Sequence, residues 1–394
     1  MRLLILTYEF PPLGGGAGNA VAELVRALGN RPDLEIVVVT SSTGDYEVKH
    51  RTMTANSTIY CLPVGKQDGN LHFQTNPELW RYSRACHRFL KKLLEKETFD
   101  CCHAHMTVPA GVNAWRFRKK VPYLVSLQGS DVPRYSERYK ALYTFLTPII
   151  LRIWKDAASV VSNSVGLRTL ALESAPRQRI EVIPNGIDLA LFSPKDGKST
   201  LAEPDGDSGK RRVVCVCRLI ERKGVWELLK GFQTVAREMP DTHLDLIGAG
   251  ILDELVKQWV DEQGLGDRVT LHGAVAHDEI PEYLRRAALF VLPSHAEGMS
   301  NALLEGMACG LPIVVTDTGG TAELLKDNGL VVPKKNPAAI AEAIIEILGD
   351  EKRRVEMGEA SLRIAQTFSW KAMARKYMEL YTCTEHPRPP APQA

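Results

Sequence analysis

Two glutamates eight positions apart, Glu297 and Glu305, bracket Gly298, Met299, Ser300 and Asn301 in the stretch SHAEGMSNALLEGMACGLP. The run LFVLPS before it reads as a strand and NALLEGMA as a helix, so Glu297 lies on the connecting loop and Glu305 inside the helix. At about 100° per residue, eight residues bring the second acid to within about 80° of the first, and both can face one ligand. Between them, the first N–H groups of a helix and its dipole favour an anion. Carboxylates accept hydrogen bonds from sugar hydroxyls. The pattern therefore describes a site for a nucleotide sugar, with Glu297 toward the glycosyl hydroxyls and Glu305 toward the ribose. An exposed first-turn acid is the plainer alternative for Glu305.

Two further motifs carry charge or backbone donors. In CVCRLIERKGVWELL, Arg218 ends a strand-like run and Lys223 stands just before a helix, with Gly224 breaking the chain. A planar guanidinium and a point-charge ammonium at one lip suit a diphosphate. A solvated loop fits too, because Glu221 and Arg222 are also charged. PPLGGGAGN, Pro11 to Asn19, lies between the first strand and the first helix, where glycines let backbone N–H groups approach a phosphate. A structural turn is an alternative. A dinucleotide fingerprint would need an acid closing the second strand, and EIVVVTSS ends in Thr40, Ser41 and Ser42.

The elements that must position these groups alternate. LLILTY, NAVAELVRALG, LEIVVVTS, YLVSLQ, SVVSNS and IEVIPNG give way to KDGKSTLAEPDGDSGKRR, which has no apolar period. The alternation restarts with VVCVCRL, VWELLKGFQTVARE, LDLIGAG, VTLHGAV, LFVLPS, LPIVVTD and GLVVP. This predicts an α/β protein of two doubly wound parallel sheets: residues 1–190, a linker at 191–211, residues 212–369, and an unstructured Pro-rich tail at 383–394. In open sheets of this kind ligands bind beyond the carboxyl ends of the strands.

Apolar residues at 44% and charged residues at 24% place the chain among globular proteins, not disordered ones. A net charge of +2 gives no global field to recruit nucleic acid. The eight cysteines form no CxxC pair and read as buried free thiols. MRLLILTYEFPP reads as a first core strand and not a signal peptide, and no apolar run is long enough to span a membrane. Contact with a membrane is expected only at its surface. WRYSRACHRFLKKLLEK, Trp80 to Lys96, offers one: Arg81, Arg84, Arg88, Lys91 and Lys92 fall on one stripe opposite Cys86, Phe89, Leu90, Leu93 and Leu94. That stripe is a solvated face or a contact with anionic lipid or acceptor phosphate. The stretch Tyr139 to Ala157 adds apolar and basic residues that suit either the acceptor side or the core.

Taken together, Gly15-Gly16 with Val21 and Leu24, PNGID at Pro184 to Asp188, RLIERKG at Arg218 to Gly224, LIGAG at Leu246 to Gly250, and the stretch Pro293 to Glu323 resemble the retaining glycosyltransferases of family 4. The similarity covers nearly the whole chain. It implies the GT-B fold, two Rossmann-like domains facing a central cleft, with a UDP- or GDP-sugar donor bound mainly by the C-terminal domain. It implies an acceptor, carbohydrate or lipid-linked, on the N-terminal domain, and a last helix at 370–382 that crosses back onto that domain. Residue by residue, Arg218 and Lys223 match the diphosphate-binding pair, Glu297 and Glu305 the paired glutamates, and Gly16, beside Gly15, the loop glycine near the donor phosphates. Gly298, Met299, Ser300 and Asn301 complete the expected donor site, in which Glu297, Arg218 and Lys223 carry the catalysis.

One position departs from the family pattern. SLQGSDVP places Gln128 where many members carry His, with Asp131 after it; both are candidate substrate contacts, and Gln can hydrogen-bond a sugar hydroxyl but carries no proton at neutral pH. The resemblance places His105 near a sugar, although a structural hydrogen bond at a strand end fits it equally well. Asp205-Gly206-Asp207 resembles a metal-binding triplet, but it sits in the linker, and Arg218 and Lys223 supply the neutralisation a metal would give. Neither a metal nor a cofactor is expected. The activity implied is retaining, metal-independent sugar transfer to an acceptor hydroxyl in polysaccharide, lipopolysaccharide or glycolipid assembly, in the cytoplasm and at the inner membrane face. A nucleotide-sugar epimerase of the same fold and a non-catalytic nucleotide-sugar-binding protein are the rivals.

Overall fold

Strand-length apolar runs alternating with helix-length amphipathic ones build two sheets, each within its own unit: Met1–Gly186 with the segment from Trp370, and Ile187–Ser369. The computed structural model describes residues 1–43, 49–66, 75–135, 140–194 and 210–383. Most of the expected linker, with Asp205 and Asp207, and the tail beyond 383 lie outside the described residues.

The N-terminal unit runs β1 (Arg2–Leu6), α1 (Gly16–Leu28), β2 (Glu35–Thr43), β3 (Lys49–Arg51), β4 (Ser57–Lys66), α2 (Asn76–Lys96) and β5 (Cys101–His105). It continues α3 (Val112–Arg116), β6 (Tyr123–Leu127), α4 (Lys140–Asp156), β7 (Ser159–Ser162), α5 (Val165–Ser174) and β8 (Glu181–Val182). The strand order is β3-β4-β2-β1-β5-β6-β7-β8, parallel except for β3. The strands wind outward in opposite directions from β1 and β5, which are themselves parallel. Strand β4 is not among the expected strands, because Pro63 and Gly65 interrupt its apolar run; its register on β2 shifts between Ser42 and Thr43. Helix α2 begins a turn before Trp80, where Thr75 and Glu78 form a capping box.

The C-terminal unit runs β9 (Arg211–Val216), α6 (Val225–Glu238), β10 (Thr242–Ile247), α7 (Asp253–Glu262), β11 (Val269–Gly273) and α8 (Ile280–Arg286). Then follow β12 (Leu289–Leu292), α9 (Asn301–Ala308), β13 (Ile313–Thr316), β14 (Gly329–Val332), α10 (Pro337–Gly349) and α11 (Glu351–Ala365). The order β11-β10-β9-β12-β13-β14 is wholly parallel, the 3-2-1-4-5-6 winding of a Rossmann sheet with its switch between β9 and β12. The chain enters this unit at Ile187, earlier than the composition shift suggests. Ile187 and Phe192 bury in its core, and Arg285 donates to the carbonyls of Leu191 and Ser193, each at 2.8 Å.

Both faces of the N-terminal sheet are covered, so its strands are apolar on both sides. Leu3 and Ile5 pack under α1 and the last helix α12 (Trp370–Cys383), while Leu4 and Leu6 pack under α2, α3 and α4. Polar contacts also hold α12 to its sheet. His103 Nδ1 lies 2.7 Å from Tyr381 Oη, its Nε2 lies 2.6 Å from Ser126 Oγ, and that hydroxyl meets Tyr377 Oη at 2.8 Å. Burial drives the His103 imidazole far below its ordinary pKa, which keeps the ring neutral with one donor and one acceptor nitrogen. The seven cysteines whose side chains are described are buried and unbridged.

Candidate functional site

In the C-terminal unit the loops leaving β9 and β12 flank the switch point, so residues 217–224 and 293–300 meet there. Gly224 makes the meeting possible. Its φ is +69°, and a Cβ on it would stand 2.0 Å from the Pro293 carbonyl oxygen. Only glycine lets the two backbones approach this closely. Gly248, at φ +130° and with its virtual Cβ 1.9 Å from the Cys217 carbonyl oxygen, seats the loop after β10 against the residue before Arg218.

This approach carries Lys223 to Glu297, and the two form an ion pair through Lys223 Nζ and Glu297 Oε1. The Ser294 hydroxyl donates to the same oxygen at 2.7 Å, and Arg222 Nη1 stands 3.9 Å from Oε2. Arg222 also donates to the Ala296 carbonyl, and the His295 N–H returns a bond to the Arg222 carbonyl at 2.8 Å. Burial pushes the Glu297 carboxyl up, but Lys223, Arg222 and Ser294 outweigh it and hold its pKa below the ordinary range. Glu297 is thus an ionised acceptor at neutral pH. Arg218 is half-buried on the same loop.

Gly298, Met299 and Ser300 are buried, and the Ser300 hydroxyl caps α9 by accepting from the Leu303 N–H at 3.3 Å. Asn301 and Glu305 lie on α9, with Glu305 buried and within 2.9 Å of His277 Nε2. The two glutamates therefore keep separate partners, Lys223 for one and His277 for the other.

The N-terminal unit arranges its candidates differently. Gly15 precedes α1 and its N–H donates to Glu9 Oε2 at 3.1 Å, while Gly16 opens the helix and is exposed. Asp131 is buried with both oxygens engaged. Oδ2 accepts from the Thr107 N–H (2.7 Å) and hydroxyl (3.2 Å), and Oδ1 accepts from the Gln128 (2.9 Å) and Gly129 (3.0 Å) N–H groups. It ties the loop after β6 to the loop after β5. Gln128 is half-buried, its side-chain oxygen 3.5 Å from Asn163 Nδ2. His105 ends β5 and is buried, its ring 4.0 Å from that of His103 between centroids. Neither of its nitrogens has a hydrogen-bond partner among the described residues, and burial lowers its pKa to about 3.

Sequence reasoning missed Arg222, Ser294, His277 and Glu9. Arg222 counted as a solvated neighbour of Lys223, although a 3-10 turn over Glu221–Lys223 brings both cations to the loop after β12. His277 had no signal, because its partner lies 28 positions away.

Residues 14–191 match the model for Glycosyltransferase Family 4, and residues 200–363 that for Glycosyl transferases group 1. An uncharacterized glycosyltransferase of Methanocaldococcus jannaschii is 25% identical over 97% of this chain and 98% of its own. The GDP-mannose-dependent α-(1-6)-phosphatidylinositol monomannoside mannosyltransferase of Mycobacterium tuberculosis is 30% identical over 58% of this chain and 62% of its own. Among solved structures, sucrose-phosphate synthase from Thermosynechococcus elongatus superposes with a TM-score of 0.81 at 22% identity, over 97% of this chain and 98% of that one.

Proposed function

The chain belongs to the glycosyltransferases that these two models describe, and on that premise we propose that it is a retaining, metal-independent enzyme moving a sugar from a UDP- or GDP-sugar to an acceptor hydroxyl. The observation that carries this reading is the charge cluster at the β9/β12 switch point, where Lys223 and Arg222 gather on Glu297 and Arg218 lies on the same loop. The mycobacterial relative is named for GDP-mannose, which supports a nucleoside-diphosphate donor.

Arg218 and Lys223 would hold the diphosphate and stabilise the charge that grows on it as the glycosidic bond breaks. An ammonium has three donors, so Lys223 can bind Glu297 and a phosphate oxygen together. Glu297, ionised and buried, would accept from donor-sugar hydroxyls and stabilise positive charge at the anomeric carbon. Its low pKa suits that role and not proton donation. Glu305 would take the ribose hydroxyls. The N-terminal unit would bind the acceptor, with Gln128 and His105 near its sugar. Among the described residues no helix is long and apolar enough to cross a membrane. We place the enzyme in the cytoplasm, at the inner membrane face.

A thermal-shift series against UDP, GDP, ADP and their sugar conjugates, with and without EDTA, tests this. The expected result is a rise in Tm selective for one nucleotide sugar and insensitive to EDTA. A rise that EDTA abolishes would remove the metal-independent part of the reading. No rise with any donor would remove the donor assignment.

A further inference from the structure

The outer face of α2, α3 and α4 is basic along its length and apolar at one end. Helix α2 buries Tyr82, Cys86, Leu90 and Leu93 and exposes Arg81, Arg84, Arg88, Lys91 and Lys92. The segment after α3 joins this stripe to α4. Lys120 Nζ donates to the Leu94 carbonyl of α2 at 3.3 Å, and Trp115 Nε1 donates to Asp156 Oδ2 of α4 at 2.9 Å. Lys119, Arg152 and Lys155 are exposed along the same layer. Among the described residues the acids of these helices that are not buried are Glu95 and Asp156, and Asp156 is held by Arg152 at 3.1 Å and Arg118 at 3.4 Å. A chain of net charge +2 thus concentrates cations on one side of one sheet.

At the amino-terminal turns of α2 and α4 the face becomes apolar. Trp80 is 60% exposed, Phe145 77% and Ile149 44%. Arg84 covers the Trp80 ring, its guanidinium carbon 4.5 Å from the centroid. Leu79, Leu146 and Ile150, the chain neighbours of these three, line a cavity of about 80 Å³ shared with Tyr143, Met106 and Val108. Glu9, at the carboxyl end of β1, and Asp131 also reach it. The exposed apolar groups therefore stand beside an opening on the side of the sheet where ligands bind in such folds.

We infer that this α2–α3–α4 face docks on an anionic lipid bilayer, with Trp80, Phe145 and Ile149 in the headgroup boundary, and that the acceptor is consequently lipid-linked. Cations near an anionic surface each add attraction, and exposed aromatic and aliphatic side chains gain by entering the interface. A soluble polyanion would use the cations and gain nothing from Phe145 or Ile149, so the combination favours lipid. The acceptor assignment rests on the transferase reading above, whereas the docking itself does not.

The test is co-sedimentation of the full chain with phosphatidylcholine vesicles, with and without phosphatidylglycerol. Two variants accompany it, Phe145→Ser/Ile149→Ser and Arg84→Gln/Arg88→Gln/Lys91→Gln. Binding is expected only with phosphatidylglycerol, weakening with salt, and each variant should lower the partition coefficient about tenfold or more. The altered side chains are exposed, and a retained melting temperature confirms folding. Absent binding, equal binding to both vesicle types, or an apolar variant that partitions like the wild type would overturn the inference; the last outcome reduces the face to a purely electrostatic patch with no apolar insertion. The donor-induced Tm rise, followed in the same variants, separates the two readings. A wild type that binds no vesicles but keeps the rise defeats docking alone, while a missing rise in the wild type defeats the donor site.

Discussion

Beyond the carboxyl ends of β9 and β12 the C-terminal unit buries charge, and beyond those of β1 and β5 the N-terminal unit buries groups that are neutral or committed to backbone. The two sheets share their central winding. In one, Glu297 is ionised among Lys223, Arg222 and Ser294. In the other, His105 is a neutral imidazole and Asp131 is saturated by N–H groups and a hydroxyl. A buried ion pair contributes little net stability and costs much when one partner is removed, so the C-terminal arrangement is one that function would maintain. Backbone-bound Asp131 shapes loops. The difference is that one unit gathers cations on a buried carboxylate at its strand ends, whereas the other leaves its buried groups there uncharged or bound to backbone.

The largest expected effect would sharpen this contrast at Arg218. Arg218→Ala should lower kcat/KM for sugar transfer by about 10²–10³, some 3–4 kcal/mol of barrier, with an unchanged melting temperature. Wild-type turnover in that variant would remove the diphosphate role. Lys223→Ala should cost stability as well as turnover, about 3 kcal/mol in denaturant unfolding, because it strands a buried carboxylate. Lys223→Ala in a Glu297→Gln background should cost much less, and equal losses in both backgrounds would show that the pair is not coupled.

A pH series probes the neutral side. Burial lowers the folded pKa of His105 to about 3 from an ordinary 6.5, so the unfolded chain binds the extra proton between those values. Stability should therefore fall as pH drops below about 6.5, by on the order of 2 kcal/mol at pH 5, and His105→Asn should remove that share of the slope. An unchanged slope would place a charge where we describe none. Glu297 acts lower. Its depressed pKa gives stability that is present above the unfolded value and lost as pH falls through the folded one. The smallest effect belongs to Glu305. Glu305→Gln should weaken donor binding about tenfold, near 1.4 kcal/mol, while His277→Ala, which removes a half-exposed partner, should weaken it less. The reverse ranking, read by titration of the nucleotide sugar, would make His277 the donor contact.

Much of the architecture was legible. Apolar runs such as Leu3–Leu6 and Val213–Val216 are strands because both of their faces are covered, and the spacing between them left room only for helices. Strand β4 was hidden by Pro63 and Gly65, since a local pattern does not show that β2 already offers an edge to pair with. At the site, Lys223 and Glu297 could be picked out by type and position, but their ion pair spans 74 residues of chain. The commitment of Asp131 to backbone donors was equally invisible, because Asp beside Gly in a loop reads the same whether its carboxylate faces a ligand or its own chain.

The order of residues sets the periodicities, and through them two parallel sheets and the loops on which chemistry could stand. Those are local properties, set by burial and backbone preference within a few residues. Long-range packing is what joins Arg222 to Lys223 on Glu297, brings His277 to Glu305, and buries His105 as an uncharged ring. Each depends on which distant segments share a switch point and how much water they exclude. The energy of a charge is set by that surrounding and not by its neighbours in the chain.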